Sequence, residues 1–414
     1  MTDILHRLLL VLLLVAALSA CQGERGDEPD PVPPAVDETP RVGFFLVVDG
    51  ATDPGSRATP AGDYHPGFDY EKYINFADND IRFYFFSAEN KFLGEFKPDG
   101  IAASPADSTN HSKRYWVIGD LPFDFSNNAK HNVKLMVLAN WRTRTGNDYP
   151  VLEEGNEMSK VWTSENGIFE YNPHTDSIPS PTNPIPFYGV TNAIELSRQS
   201  FNINNNFTTS FGTIHLLRAL AKVEVILSEE SIGRKTKIKD MWFTYYNRQG
   251  YCAPNNVDEQ RDYVHGNYDS DYTSTPHIVA NTSVEGRAYL TPVNDDSTRF
   301  VTYVPEYLNT INGSKRREHD ARILVRFEGS KTVWSVSFAK YMEDPDKAGH
   351  HIPDPDRHFD ILRNNWYKFT LNKRETYFDV QVVVAPYAGV ELDPEFGLDY
   401  DEKTNTTDPQ DPGN

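Results

Sequence analysis

The sequence has almost no cysteine. Among its 414 residues only Cys21 and Cys252 carry thiols, so a disulfide framework is excluded and folded regions must be held by buried area. Basic charge is also short: 40 lysines and arginines face 60 aspartates and glutamates, for a net charge of −20. A chain without a basic surplus cannot replace phosphate counterions, which excludes nucleic acid as a partner. Long apolar runs are lacking as well. The longest, Leu8 to Leu18, falls short of the roughly 20 residues that a spanning helix needs. Helical periodicity is scarce, with room for only a turn or two from Ser210 to Ala221. No phosphate loop, Gly-x-Ser-x-Gly elbow, His-Glu-x-x-His pair or Cys-x-x-Cys motif is present. The expectation is a non-enzyme with no catalytic residue and no cofactor. Cys252 reads as a small buried hydrophobe.

What is present begins with an export signal. The apolar run ends in Leu18-Ser19-Ala20-Cys21, which resembles a lipobox and implies lipid on the Cys21 thiol after removal of residues 1–20. Several acyl chains on one terminus make membrane anchoring stable. Residues 21–40 are acidic and proline-bearing, with almost nothing to bury, and read as an extended tether. Glu24, Asp27 and Glu28 are similar to the tags that send Bacteroidetes lipoproteins to the outer face of the outer membrane. The expected location is therefore the outer membrane, lipid-anchored and exposed at the cell surface or within an appendage.

Beyond the tether, short apolar or alternating runs between turn residues predict an all-β chain. The candidate strands are Arg41 to Asp49, Ile81 to Phe86, Lys91 to Phe96, Arg114 to Ile118 and Asn132 to Leu138. They continue with Thr208 to Ile214, Ala221 to Leu227, Lys237 to Tyr246, Arg299 to Val304 and Ala321 to Glu328. Thr332 to Phe338, Trp366 to Asn372 and Phe378 to Ala385 complete the set. Long connections lie at 140–180, 250–285 and 340–360. Two domains are expected, 41–228 and 229–392, followed by an acidic tail 393–414.

Several segments together resemble the fimbrillin superfamily of Bacteroidetes type V pili. They are Ile81-Arg-Phe-Tyr-Phe-Phe86, Val133-Lys-Leu-Met-Val-Leu-Ala-Asn-Trp141, Ile185-Pro-Phe-Tyr-Gly189, Arg218-Ala-Leu-Ala221-Lys222, Thr302-Tyr-Val-Pro-Glu306 and Leu362-Arg-Asn-Asn-Trp366. The resemblance implies two tandem transthyretin-like β-sandwich domains with long loops. It also implies donor-strand exchange, in which a strand from another fimbrial subunit fills a groove head-to-tail. By position the displaced strand comprises Val42, Phe44, Phe45, Leu46, Val47 and Val48. An arginine-directed cut at Arg57 would release it, whereas cuts at Arg25 or Arg41 would leave it in place. The candidate donor carries Val380, Val382 and Val384, or begins at Val390. Shaft, anchor and tip positions stay open, as does a host or bacterial surface receptor. For Arg218 and Lys222 the residues themselves suggest a structural part, with the Lys222 stem on apolar surface and its ammonium in water.

Two other classes use the same signal and sandwiches. A glycan- or ligand-binding lipoprotein would stack sugars on Trp141, Trp162 or Trp242, although aromatics in β-rich chains usually fill the core. A metal-dependent enzyme would draw on Asp344, Asp346, His350, His351, Asp354, Asp356, His358 and Asp360; that segment reads as a solvated acidic loop, with no metal expected. Paired carboxylates for glycoside cleavage have no sequence signature. The signal reading makes a direct prediction: mass spectrometry of protein from its own envelope finds lipid on Cys21, and Cys21→Ser releases the chain from the membrane.

Overall fold

The computed structural model describes residues 40–50, 70–104, 112–123, 130–197, 200–201, 208–254, 283–293, 296–311, 314–347, 350–374 and 377–386. In chain order the first strands are β1 (Arg41–Val48), β2 (Ile81–Ser87), β3 (Phe92–Phe96), β4 (Pro98–Ser104), β5 (Lys113–Asp120) and β6 (His131–Ala139). Then come β7 (Ile168–Glu170), β8 (Phe187–Val190), β9 (Ile194–Leu196), β10 (Thr208–His215) and β11 (Leu217–Arg218). Strands β1, β4, β5 and β10 form one sheet, in the order β10-β1-β5-β4. Facing it is β11-β8-β6-β2-β3, with β9 added beside β6. The inner faces alternate apolar residues as a covered sheet requires, and Phe44, Phe83, Phe85, Val117, Leu135 and Val137 are fully or almost fully buried between them.

The second sandwich is built from β12 (Ala221–Leu227), β13 (Ile238–Asn247), β15 (Ser283–Tyr289), β16 (Thr291–Pro292), β17 (Arg299–Val304), β20 (Arg322–Phe327), β21 (Val333–Ser337), β24 (Asn365–Lys373) and β25 (Phe378–Pro386). Its sheets run β16-β17-β12-β24-β25 and β15-β13-β20-β21. Val223, Val225, Met241, Ile323, Val325 and Phe369 close a separate core between them. Three two-stranded ribbons complete the described strands: β7 with β14 (Gln249–Tyr251), β18 (Thr310–Ile311) with β19 (Lys315–Arg316), and β22 (Ala339–Glu343) with β23 (His351–His358). The architecture is all-β, as the sequence indicates.

Three expectations change. The strand Ala221–Leu227, placed by the sequence reading at the end of the first domain, pairs with β17 and, in parallel, with β24. It therefore belongs to the second sandwich, because alternation shows that a strand is covered without showing by which sheet. The stretch from Ser210 to Ala221 holds β10 and β11 and no helical turn. Much of the supposed loop 340–360 is the β22–β23 ribbon. Pro353 and Pro355 are tolerated there because each strand of a two-stranded ribbon is an edge.

Candidate functional site

The segment Arg41-Val-Gly-Phe-Phe-Leu-Val-Val48 sits inside a sheet, not at its margin. On one side β1 runs antiparallel to β5, from Arg41 opposite Asp120 to Val48 opposite Lys113. On the other it runs parallel to β10, from Arg41 beside Thr208 to Val47 beside His215. The register with β10 shifts between Gly43 and Phe45, where Phe211 and Gly212 together oppose Phe44. Gly212 has φ 71°, the left-handed conformation that a bulge of this kind favours at glycine. Val42, Phe44, Leu46 and Val48 point inward and are fully buried. The Phe44 ring meets Phe83 edge-on at 5.6 Å and Phe96 at 5.8 Å. Phe45 faces outward and is half-buried. All six residues named for the displaced strand thus lie on one central strand.

Polar contacts hold both ends of β1. At the start, Leu121 N donates to Pro40 O at 2.9 Å, and Arg41 pairs with Asp99 and, at 3.5 Å, with Asp120. At the finish, the Asp49 carboxylate meets His215 Nδ1 at 2.7 Å, while Arg218 Nη2 donates to Asp49 O at 2.6 Å. Arg218 also donates through Nε to Glu71 O at 3.0 Å, and its backbone N–H reaches Asn364 Oδ1 at 3.0 Å. The Glu71 carboxylate accepts Lys222 Nζ at 2.6 Å and the Tyr303 hydroxyl. Lys222 lies 4.9 Å from the Trp366 ring centroid. Its ammonium is buried against Glu71 and not in water, which corrects the sequence reading of this motif. The cluster joins β1 and residues 71–72 to strands of the second sandwich.

The charges in this seam are strongly coupled. Burial alone would raise the Glu71 carboxyl, but Lys222 and then Arg218 overcome it and hold the group below its ordinary 4.5. Burial, followed by the repulsion of Arg218, pushes the neighbouring Lys72 ammonium down to about 8. A second buried pair lies nearby: Arg363 Nη2 donates to Glu306 Oε2 at 2.8 Å.

The other named residues fall elsewhere. On β25, which is an edge strand, Val380 is buried, Val382 is half-buried and Val384 is 43% exposed. All nine residues of β25 pair with β24, from Phe378 opposite Lys373 to Pro386 opposite Asn365, so this strand already completes its own sandwich. Cys21, Arg57 and the segment from Val390 lie outside the described residues. Trp141, Trp162 and Trp242 are all buried, leaving none of them free as a sugar platform. Asp344 accepts from His350 Nδ1 at 2.8 Å, and Asp360 is consumed by the N–H groups of Asn309 at 2.6 Å and Thr310 at 2.8 Å. Among the described residues no group of three or more His, Cys, Asp or Glu is placed to hold a metal. Cys252 is buried, and burial raises its thiol pKa. Sequence reasoning missed Asp49, Glu71 and His215; nothing local marks them, since their partners lie more than 100 residues away.

Solved structures similar to this chain include fimbrial proteins and adhesion proteins of Bacteroidetes, by their own descriptions. The chain matches the tip fimbrial protein Mfa3 from Porphyromonas gingivalis, determined with a C-terminal truncation, at a TM-score of 0.50 and 12% identity, covering 83% of this chain and 99% of that one. A fimbrial assembly protein from Parabacteroides distasonis aligns at 0.40 and 13%, over 84% and 99%, and the fimbrial anchor protein Mfa2 from P. gingivalis at 0.28 and 10%, over 83% and 97%. At 12% identity the first of these likenesses is one of fold. The chain shares with that tip fimbrial protein a fold of tandem β-sandwiches, as its sequence leads one to expect. No family model and no curated protein matches it.

The seam yields a pH prediction. A carboxylate held below its ordinary value stabilises the fold above that value, and the contribution is lost as pH falls through the lowered one. Glu71→Gln takes a carboxylate away from the buried Lys222 ammonium and should cost about 3–5 kcal/mol at neutral pH. Denaturant titrations should also show a shallower loss of stability below pH 4.5 in the variant than in the parent.

Proposed function

We propose that this chain is a surface-exposed fimbrial protein, serving as subunit, anchor or tip component, that joins its neighbours head-to-tail by exchange of β1 and supports adhesion. The observation that carries the reading is the position of β1: a strand early in the chain, inserted between β5 and β10, whose withdrawal would leave a full-length slot with backbone donors and acceptors on both walls. The likeness in fold to a fimbrial tip protein supports it. Lipid on Cys21 would fix the unprocessed chain to the outer membrane. A cut after Arg57 would detach Cys21 and β1 together.

For the donor, the segment from Val390 fits better than Val380 to Val384, because the ladder of β25 is already used within the chain. The two domains would divide between Arg218 and Ala221, where the sheet pairing changes over, and not after residue 228. No catalytic part is assigned to any residue. The reading is tested on the full chain cut after Arg57 and followed by light scattering. Loss of the fragment containing β1 and growth of larger species, both abolished in Arg57→Ala, is the expected result. A cut chain that releases β1 and stays monomeric would refute it.

A further inference from the structure

The wall of the β1 slot carries a side-chain filter on its outer face. Gly43 is buried although it points away from the core, because the Trp116 indole lies across it. A Cβ built at residue 43 would sit 2.6 Å from Trp116 Cη2 and closer still to Cζ2. The φ of Gly43 lies outside the left-handed region, so glycine is needed here for space and not for conformation. In the intact chain the indole packs on Phe45, its direct partner across the strands, at 4.8 Å. Beside it the Arg114 guanidinium covers the Phe45 ring at 3.5 Å from the centroid. The Arg114 Nε is buried and makes no hydrogen bond.

A strand entering in the direction of β1 would thus meet three demands in order. It needs apolar residues at the inward positions of Val42, Phe44 and Leu46, glycine under Trp116, and at the Phe45 position a group that suits a cation with an unused N–H. A carboxylate there would give Arg114 the hydrogen bond it lacks. The C-terminal sequence meets this pattern twice, as Ala388-Gly389-Val390-Glu391-Leu392 and as Phe396-Gly397-Leu398-Asp399-Tyr400. Both place an acidic residue two positions after the glycine.

We propose that Trp116 and Arg114 are specificity-determining residues of the β1 slot, selecting an apolar-Gly-apolar-acidic-apolar strand, and that residues 388–400 of a second copy of this chain supply it. This rests on the exchange reading above and specifies its partner. Glycine at the second position is read by exclusion, and the acid at the fourth by attraction. Val380 to Val384 has no glycine and fails the first of these.

The test uses the full chain with a specific protease site introduced between residues 51 and 69, cut so that β1 can leave, and a labelled peptide of residues 387–402 followed by anisotropy. The expected result is uptake that falls about tenfold or more when both Gly389 and Gly397 become valine, with most of that loss recovered in Trp116→Ala. Exchange of Glu391 and Asp399 for lysine should weaken uptake in the parent and not in Arg114→Met. Equal uptake of the glycine and valine peptides by the parent overturns the filter. A second measurement separates the two claims: thermal unfolding of uncut Gly43→Ala, Trp116→Ala and the double variant. Additive losses overturn the Trp116 filter whether or not exchange occurs. Strong coupling with no uptake of any peptide overturns the exchange reading, and with it the assignment of a partner.

Discussion

The ladder that β1 forms with β5 and β10 is the interaction on which the first sandwich depends. Buried backbone N–H and C=O groups must be paired, and β1 supplies partners to two strands at once. Its four inward side chains are each worth about 1.5–3 kcal/mol when buried, so together they contribute on the order of 10 kcal/mol. That is comparable with the whole stability of a domain, about 5–15 kcal/mol. The slot therefore cannot stand empty in a folded subunit. Any process that removes β1 has to end with another strand in its place, which turns an intrachain packing requirement into an association between chains.

The seam at the end of β1 gives this strand a second connection. Arg218 holds Asp49 and residue 71 together, and Glu71 in turn is held by Lys222 and Tyr303. Lys222 is the second residue of β12, a central strand of the second sandwich. Buried ion pairs of this kind are weak stabilisers compared with apolar packing, but removing one partner is costly. Their effect here is to fix where β1 ends and how residues 71–72 return to the chain. Glu71 stays with the folded body after a cut at Arg57, whereas Asp49 leaves with the strand. The contacts that Asp49 makes with His215 and Arg218 are the ones that a departing β1 must break.

Much of the fold was legible because its strands obey simple patterns. Ala221–Leu227 and Arg299–Val304 were bounded correctly by their apolar content and flanking turns, and β1 was visible as a covered run. What failed were features that depend on distant partners. The membership of β12 is decided by β24, more than 140 residues later. Residues 210–221 offered room for a helical turn or two, yet β1 takes up the chain as far as His215 and β8 takes up Leu217 and Arg218 as strands. Short strands such as Phe187–Val190 carry too few residues to show a period. At the site, the six residues of β1 could be named from position alone, but Trp116, Asp49 and Glu71 could not, since an indole over a glycine and a carboxylate on a buried lysine are facts of packing.

If β1 is exchanged when the protein assembles, chains within a fibre no longer carry it. The most direct test is intact-mass analysis with N-terminal mapping of chains recovered from assembled surface fibres and, separately, from the membrane fraction. Assembled chains that begin at Ala58, without Arg41 to Val48, are the result predicted here. Assembled chains that still carry Arg41 to Val48 in their own slot would contradict it.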